Sequence, residues 1–263
     1  MAAGWRTKLF GLLRRSEGGI EAAAAPDLPV FDLDHDHGVD PHGLTDLLGG
    51  KGAGLAAMRR QLQSPVPPGF VLATPLCHRC LQHGWPDGLD AAIAARLAAV
   101  ERATGRRFGD RRRPLLLSVR SGAPVSMPGM MDTVLNLGIN AEIAASLGEQ
   151  SGDERFGLDT WLRFARMYAA IVLDVSADTL GNAPPHGAAA DLLRTAIADV
   201  HHACRARGTP IPDDPPMQLR AAIEAVFRSW HSRRARVYRQ RERIADALGT
   251  AVVVQAMVFG NMD

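Results

Sequence analysis

Residues 115–140 read LLLSVRSGAPVSMPGMMDTVLNLGIN, and this stretch decides the fold class. An apolar run, Leu115, Leu116 and Leu117, delivers Ser118-Val119-Arg120 into a loop of serine, glycine and proline. A second stretch passes through Met127-Pro128-Gly129-Met130-Met131-Asp132-Thr133 and returns to apolar residues. Two strands are predicted, one through Arg120 and one through Met130. A strand with one arginine at its end, followed by a small-residue loop with free backbone N–H groups, is suited to gripping a polyphosphate. The plainer alternative is an ordinary strand and turn with a solvated arginine.

Upstream, Asp46-Leu47-Leu48-Gly49-Gly50-Lys51-Gly52-Ala53-Gly54-Leu55 reads as a glycine-rich turn leading into a helix, with Leu55, Met58 and Leu62 at helical spacing. Lys8 and Lys51 are the only lysines among 30 lysines and arginines. The chain uses arginine where a generic surface cation suffices. Lys51 instead stands between glycines that would let backbone approach a ligand. The segment is not a Walker A loop, because Gly52 follows the lysine where serine or threonine would stand. Lys51 and Arg120 form a candidate two-cation clamp for nucleotide phosphates. A helix-entry turn with a chance lysine is the alternative.

Four segments carry a resemblance: GGKGAGL at 49–55, VPPGFVLAT at 66–74, SVRSGAPVSMPGMMDTVLNLG at 118–138 and AVVVQAMVFGNM at 251–262. Together they resemble the N-terminal nucleotide-binding region of the pyruvate, phosphate dikinase family, in order from Leu44 to the last residue. Phosphoenolpyruvate synthases and antibiotic-phosphorylating relatives share the SVRS arginine but carry a glutamine pair where Met130-Met131 stand. The resemblance implies an α/β (α+β) fold, part of an ATP-grasp nucleotide-binding domain with an inserted helical subdomain. It also implies a magnesium-dependent phosphotransferase that interconverts ATP, phosphate and pyruvate with AMP, pyrophosphate and phosphoenolpyruvate. By resemblance, Lys51 and Arg120 would contact the ATP phosphates, and Gly129 and Thr133 would belong to the loop above them. Gln255 and Met257 would lie on the strand bordering adenine.

Magnesium ligands, the phosphohistidine domain and the pyruvate-binding barrel are expected after residue 263. The barrel alone needs roughly 250 residues, and no histidine here has the family's Thr-Gly-Gly…Ser-His setting. The chain is expected to be an N-terminal piece, incomplete for catalysis. The alternatives are the ATP-grasp region of a phosphoenolpyruvate synthase-like or small-molecule phosphotransferase, and a non-catalytic remnant.

At 28.2 kDa and 46% hydrophobic, the chain can bury a sizeable core. A net charge of +2 gives no ground for a nucleic-acid partner. Three cysteines, an odd number without a secretory signal, point to a reducing cytoplasm. No apolar run approaches the roughly 20 residues that span a bilayer. Residues 1–26 are basic, with no acid before Glu17, and are expected to form a flexible extension. A transit peptide or membrane-surface helix is the alternative there.

The expected organisation is a first ATP-grasp subdomain at 27–140, a helical insertion at 141–225, and a return helix and strand at 226–263. Short strands are predicted around the Lys51 turn, and a helix over 91–104 with Ile93, Leu97 and Val100 on one face. Trp161, Phe164, Ala165, Tyr168, Ile171 and Val172 form an apolar stripe. Residues 219–248 predict a longer, interrupted helix and 251–259 a buried strand.

Other constellations carry less. Cys77-His78-Arg79-Cys80 lacks a second ligand pair and predicts two helix-start cysteines without zinc. Asp34-His35-Asp36-His37 reads as a solvated polar turn, and His201-His202 as helix surface. Arg233, Arg234, Arg236, Arg239, Arg241 and Arg243 alternate with Ala235, Val237, Tyr238 and Ile244, which predicts a solvated cationic helix face rather than a nucleic-acid site. Asp132 beside a phosphate loop would repel phosphates unless a metal intervenes, so its expected task is accepting hydrogen bonds from backbone or arginine. Met127, Met130 and Met131 are expected to form a flexible apolar lid.

Overall fold

The computed structural model describes residues 28–60 and 65–259. The 1–26 extension and Leu62 lie outside the described residues. Strands form where β-branched and apolar residues run between proline and glycine breaks. These are β1 (Val30–Asp32), β2 (Gly69–Leu72), β3 (Arg107–Phe108), β4 (Pro114–Leu115), β5 (Leu117–Gly122), β6 (Thr133–Leu137) and β7 (Ala251–Ala256). Five of them make one sheet in the order β1-β2-β7-β5-β6, with every neighbouring pair antiparallel. The short β3 and β4 pair in parallel beside it.

β7 enters last in sequence yet lies at the centre, and all six of its residues are buried. The predicted 251–259 strand ends earlier, at Ala256. Beyond it, the Met257 N–H reaches only the Leu116 carbonyl at 2.9 Å.

Alternating side chains face opposite sides of the sheet. On one side Val71, Ala251 and Val253 pack with Leu33 and Leu48, the latter from helix α1 (Thr45–Arg60). On the other, Phe70, Leu72, Val119, Val252 and Val254 join the main core. That core takes residues from α2 (Thr74–His83), α3 (Leu89–Thr104), α4 (Ala141–Ser151), α5 (Glu154–Ile171), α6 (Ala177–Leu180), α7 (Ala190–Ala206), α8 (Pro215–Ser229) and α9 (Arg233–Glu242). The sequence motivates their starts. Asn140 caps α4 by accepting from the Ile143 N–H at 3.0 Å, and Asp153 caps α5 by accepting from Arg155 N–H at 3.0 Å. Ile93, Leu97 and Val100 are buried on α3, and Phe164, Ala165 and Tyr168 on α5.

Several expectations need correction. Met130 lies in a turn, and the strand that follows opens only at Thr133. The interruption expected within 219–248 falls at 230–232, where the chain turns and Ser232 recaps α9 by accepting from Ala235 N–H at 3.2 Å, but the second helix ends at Glu242. The 34–37 turn is polar and largely exposed, as expected, and two ion pairs pin it: Asp34 with Arg59 at 3.0 Å and Asp36 with Arg60 at 2.8 Å. His201 is half-buried and meets the Trp161 ring edge-on at 5.6 Å, so burial lowers its pKa. Cys77 and Cys80 share α2, where burial pushes their thiols up to about 11 and about 12. Among the described residues no helix is long and apolar enough to cross a membrane.

The arginine run is also not wholly solvated. Arg239 is 1% exposed. Its guanidinium stacks 4.0 Å over the Trp230 ring, and it donates to the Asp246 carboxylate at 2.8 Å and the Trp230 carbonyl at 2.5 Å. Arg239→Met should therefore destabilise the chain by about 2 kcal/mol in urea unfolding, because it leaves a buried carbonyl without its donor. The exposed neighbour changed in Arg236→Met should stay within about 0.5 kcal/mol. Equal effects would refute the buried placement.

Candidate functional site

The site begins at a break in a helix. α1 starts at Thr45, but Gly49 adopts φ 69° and ψ 163° and interrupts the helical path before it resumes. The interruption seats the chain against the end of β5: Gly50 N–H donates to the Ala123 carbonyl at 3.0 Å. Gly49 is the turn that leads into a helix, as the sequence context suggested, and Lys51 lies in the first turn of the helical segment that resumes after it. Its side chain lies over Gly122, and its ammonium donates to the Ser121 carbonyl at 2.8 Å.

Arg120 lies within β5, not at its end, opposite Val253 on β7 and Thr133 on β6. Two residues before Gly122, it shares the sheet face that carries α1 and Lys51. Its Nη2 donates to the Gln255 side-chain oxygen, while Gln255 Nε2 donates to the Pro67 carbonyl at 3.0 Å. Arg120 Nε is buried and, among the described residues, has no hydrogen-bond partner. Gln255 is 4% exposed, so its side chain faces Arg120 and the 65–68 loop rather than open space. Met257 is half-buried against the core past the end of β7.

Above β5, the 123–132 segment loops back and encloses a cleft of about 670 Å³. Lys51, Ser121, Ser126, Gly129 and Thr133 line it, together with Gly50, Gly122 and Ala123. Three residues singled out in the sequence, Lys51, Gly129 and Thr133, are therefore brought together. Arg120 and Gln255 sit beside it in the sheet, and Met257 stands apart. Gly129 turns the loop at φ 70°. Met127 is buried, whereas Met130 and Met131 are only partly so. Asp132 points away from the cleft and accepts a hydrogen bond from Arg234 on α9. Sequence reasoning anticipated an arginine partner for Asp132 but not which one, since the two lie far apart in the chain.

The electrostatics are lopsided. Burial lowers the pKa of Lys51, and the positive charge of Arg120 lowers it further. Burial lowers Arg120 as well. Among the described residues neither cation has a carboxylate partner. Two partly desolvated like charges without a counter-ion favour an anionic ligand. Among the described residues no carboxylate lines the cleft, so these residues do not make a magnesium site by themselves.

Residues 83–262 match the family described as pyruvate phosphate dikinase, AMP/ATP-binding domain. The chain is 45% identical over 231 residues, 82% of its length, to pyruvate, phosphate dikinase of Rhizobium meliloti (strain 1021). It is 45% identical over 233 residues, 83% of its length, to pyruvate, phosphate dikinase 2 of Zea mays. To the chloroplastic pyruvate, phosphate dikinase 1 of Oryza sativa subsp. japonica it is 42% identical over 271 residues, 92% of its length. It covers 26%, 26% and 27% of those proteins, so the chain spans about a quarter of the length of the curated relatives it matches. Mixed α/β, with Lys51 in a cleft beside the SVRS strand and a family match across most of its length, the chain belongs to the pyruvate phosphate dikinase AMP/ATP-binding domain family.

Proposed function

We propose that the cleft between α1 and the 123–132 segment holds the phosphates of ATP. In this reading the chain supplies the nucleotide-binding part of a phosphotransferase that interconverts ATP, phosphate and pyruvate with AMP, pyrophosphate and phosphoenolpyruvate. The observation that carries it is the pair of cations without counter-ions, Lys51 and Arg120, on one face of the sheet beside the cleft. An ammonium has three donors. Ser121 engages one, leaving two for phosphate oxygens. Arg120 has its unpartnered Nε and is held in place by Gln255.

Gly129 and Thr133 bring backbone and hydroxyl donors from above, and Met127 and Met131 exclude water. Gln255 serves the site by orienting Arg120, and Met257 presents apolar surface to the base. The task of these residues is positioning and charge neutralisation, since phosphoryl transfer needs little covalent chemistry from the protein. Magnesium ligands, the phosphohistidine and the pyruvate site belong to other parts of the whole enzyme. Three unpaired cysteines favour a reducing compartment, which we take to be the cytoplasm, although some plant relatives are chloroplastic by name.

The test is calorimetric titration of the chain with ATP across pH. The free-state pKa of Lys51 is lowered and a bound phosphate raises it again, so binding takes up a proton when the solution lies above the free-state value. ATP affinity should hold below that lowered pKa and fall as pH rises through it, by up to about tenfold per pH unit. The Lys51→Met chain should lack this fall. No saturable binding, or a pH profile shared by both chains, would refute the assignment.

A further inference from the structure

Between β5 and β6 the chain has no regular structure, and its 128–132 turn stands as a thin wall. Gly129 and Met131 line the phosphate cleft on one side. Met130 and Asp132 line a separate cavity of about 940 Å³ on the other, beside α5 and α9. A wall with open space on both faces has little packing to fix its position. Internally one backbone hydrogen bond closes the turn, from Met130 N–H to the Met127 carbonyl at 3.1 Å.

The hold from outside is Arg234, in the first turn of α9. Its Nε donates to the Met130 carbonyl at 3.1 Å, and its Nη2 donates to the Asp132 carboxylate. One planar guanidinium thus grips both the backbone of the turn and its acid, a geometry a lysine cannot reproduce. The Asp132 side chain is 19% exposed, so its charge is screened less by water than by this partner.

We propose that Arg234 is a positioning residue: it latches the 128–132 turn where it closes the phosphate cleft, and it neutralises Asp132 so that the turn does not repel the nucleotide. The proposal rests on the cleft being the ATP site, but the latching is a property of the ligand-free chain, and two measurements separate the two. The first is amide hydrogen exchange without nucleotide. Arg234→Met should speed exchange of the Met130 amide about tenfold, with β5 and β7 amides unchanged. Arg234→Lys should restore little of that protection, because the fork is gone.

The second is titration with ATP. Arg234→Met should weaken binding about tenfold, since the nucleotide must now order the turn itself. Arg234→Lys should fall between, because it still neutralises Asp132. Adding Asp132→Asn to Arg234→Met should recover part of the loss, which a merely structural defect would not show. Arg234 is half exposed, so both variants should melt within a few degrees of the unaltered chain. Unchanged Met130 exchange overturns the latch. Faster exchange with unaltered ATP affinity overturns its role in positioning. Absence of saturable ATP binding by the unaltered chain defeats the ATP assignment instead, and the exchange result alone then decides the latch.

Discussion

Lys51→Met should lower ATP affinity by about a hundredfold or more while leaving unfolding stability within about 1 kcal/mol. The two halves of that expectation have one cause. Lys51 is partly desolvated beside Arg120, and among the described residues no carboxylate compensates it. In the ligand-free chain its ammonium contributes one hydrogen bond, to the Ser121 carbonyl, against the cost of burial and like-charge repulsion. Losing that bond and relieving that repulsion nearly offset each other. A polyphosphate changes the balance, because the ammonium then faces several negative oxygens in a site where water is scarce.

Arg120→Met should weaken ATP binding comparably but destabilise the fold more, by about 1 kcal/mol, because the Gln255 oxygen loses its buried donor. The double variant should lose no more affinity than about the sum of the two, and less if both cations grip one phosphate group. Calorimetry for affinity and urea unfolding for stability check this together. A variant that loses ATP binding only because it has unfolded would contradict the account, and so would a Lys51→Met chain with unaltered affinity.

How far the sequence discloses this site depends on how local the cause is. The apolar runs that become β5 and β7, the helix expected over 91–104 and the stripe on α5 follow from periodicity: Ile93, Leu97 and Val100 are buried, as are Phe164, Ala165 and Tyr168, while Trp161, Ile171 and Val172 are half-buried. The kinship with dikinases is legible too, since four separate motifs keep their order. What periodicity cannot give is anything set by residues far apart in the chain. That Arg120 is engaged by Gln255, that Arg239 sinks onto Trp230, and that Arg234 pairs with Asp132 all depend on helices and strands meeting after folding. Arginines look alike in sequence, yet Arg239 is buried and Arg236 exposed. The placement of Met130 failed for a different reason. Pro128 and Gly129 favour a turn more strongly than the flanking apolar residues favour a strand, and Gly129 takes the left-handed conformation that ends extended structure.

Gly49→Ala should cost more than about 4 kcal/mol, enough to leave the chain unfolded or molten. A Cβ at Gly49 would lie 1.5 Å from the Gly122 carbonyl oxygen and 2.4 Å from its carbon. Both are backbone atoms, so no rotamer change relieves the overlap. The backbone at φ 69° and ψ 163° is also a region that only glycine occupies readily, which adds about 1–3 kcal/mol. To accept a methyl group, α1 would have to lift from β5. That movement breaks the Gly50–Ala123 hydrogen bond and carries Lys51 away from Ser121.

The glycines before and after Lys51 had suggested room for a ligand's approach, but the helix needs two of them for another purpose. Gly49 meets Gly122, and a Cβ at Gly52 would come within 3.3 Å of Val71. They let α1 lie close on the sheet, and only then does Lys51 reach the cleft. Gly54 supplies the control: nothing lies within 4 Å of a Cβ there, and it sits in the regular part of α1. Gly54→Ala should therefore be neutral or stabilise by up to about 1 kcal/mol. Thermal and urea unfolding of the two variants side by side decide the matter. If Gly49→Ala folds as well as Gly54→Ala, the backbone contact between α1 and β5 is not what places Lys51.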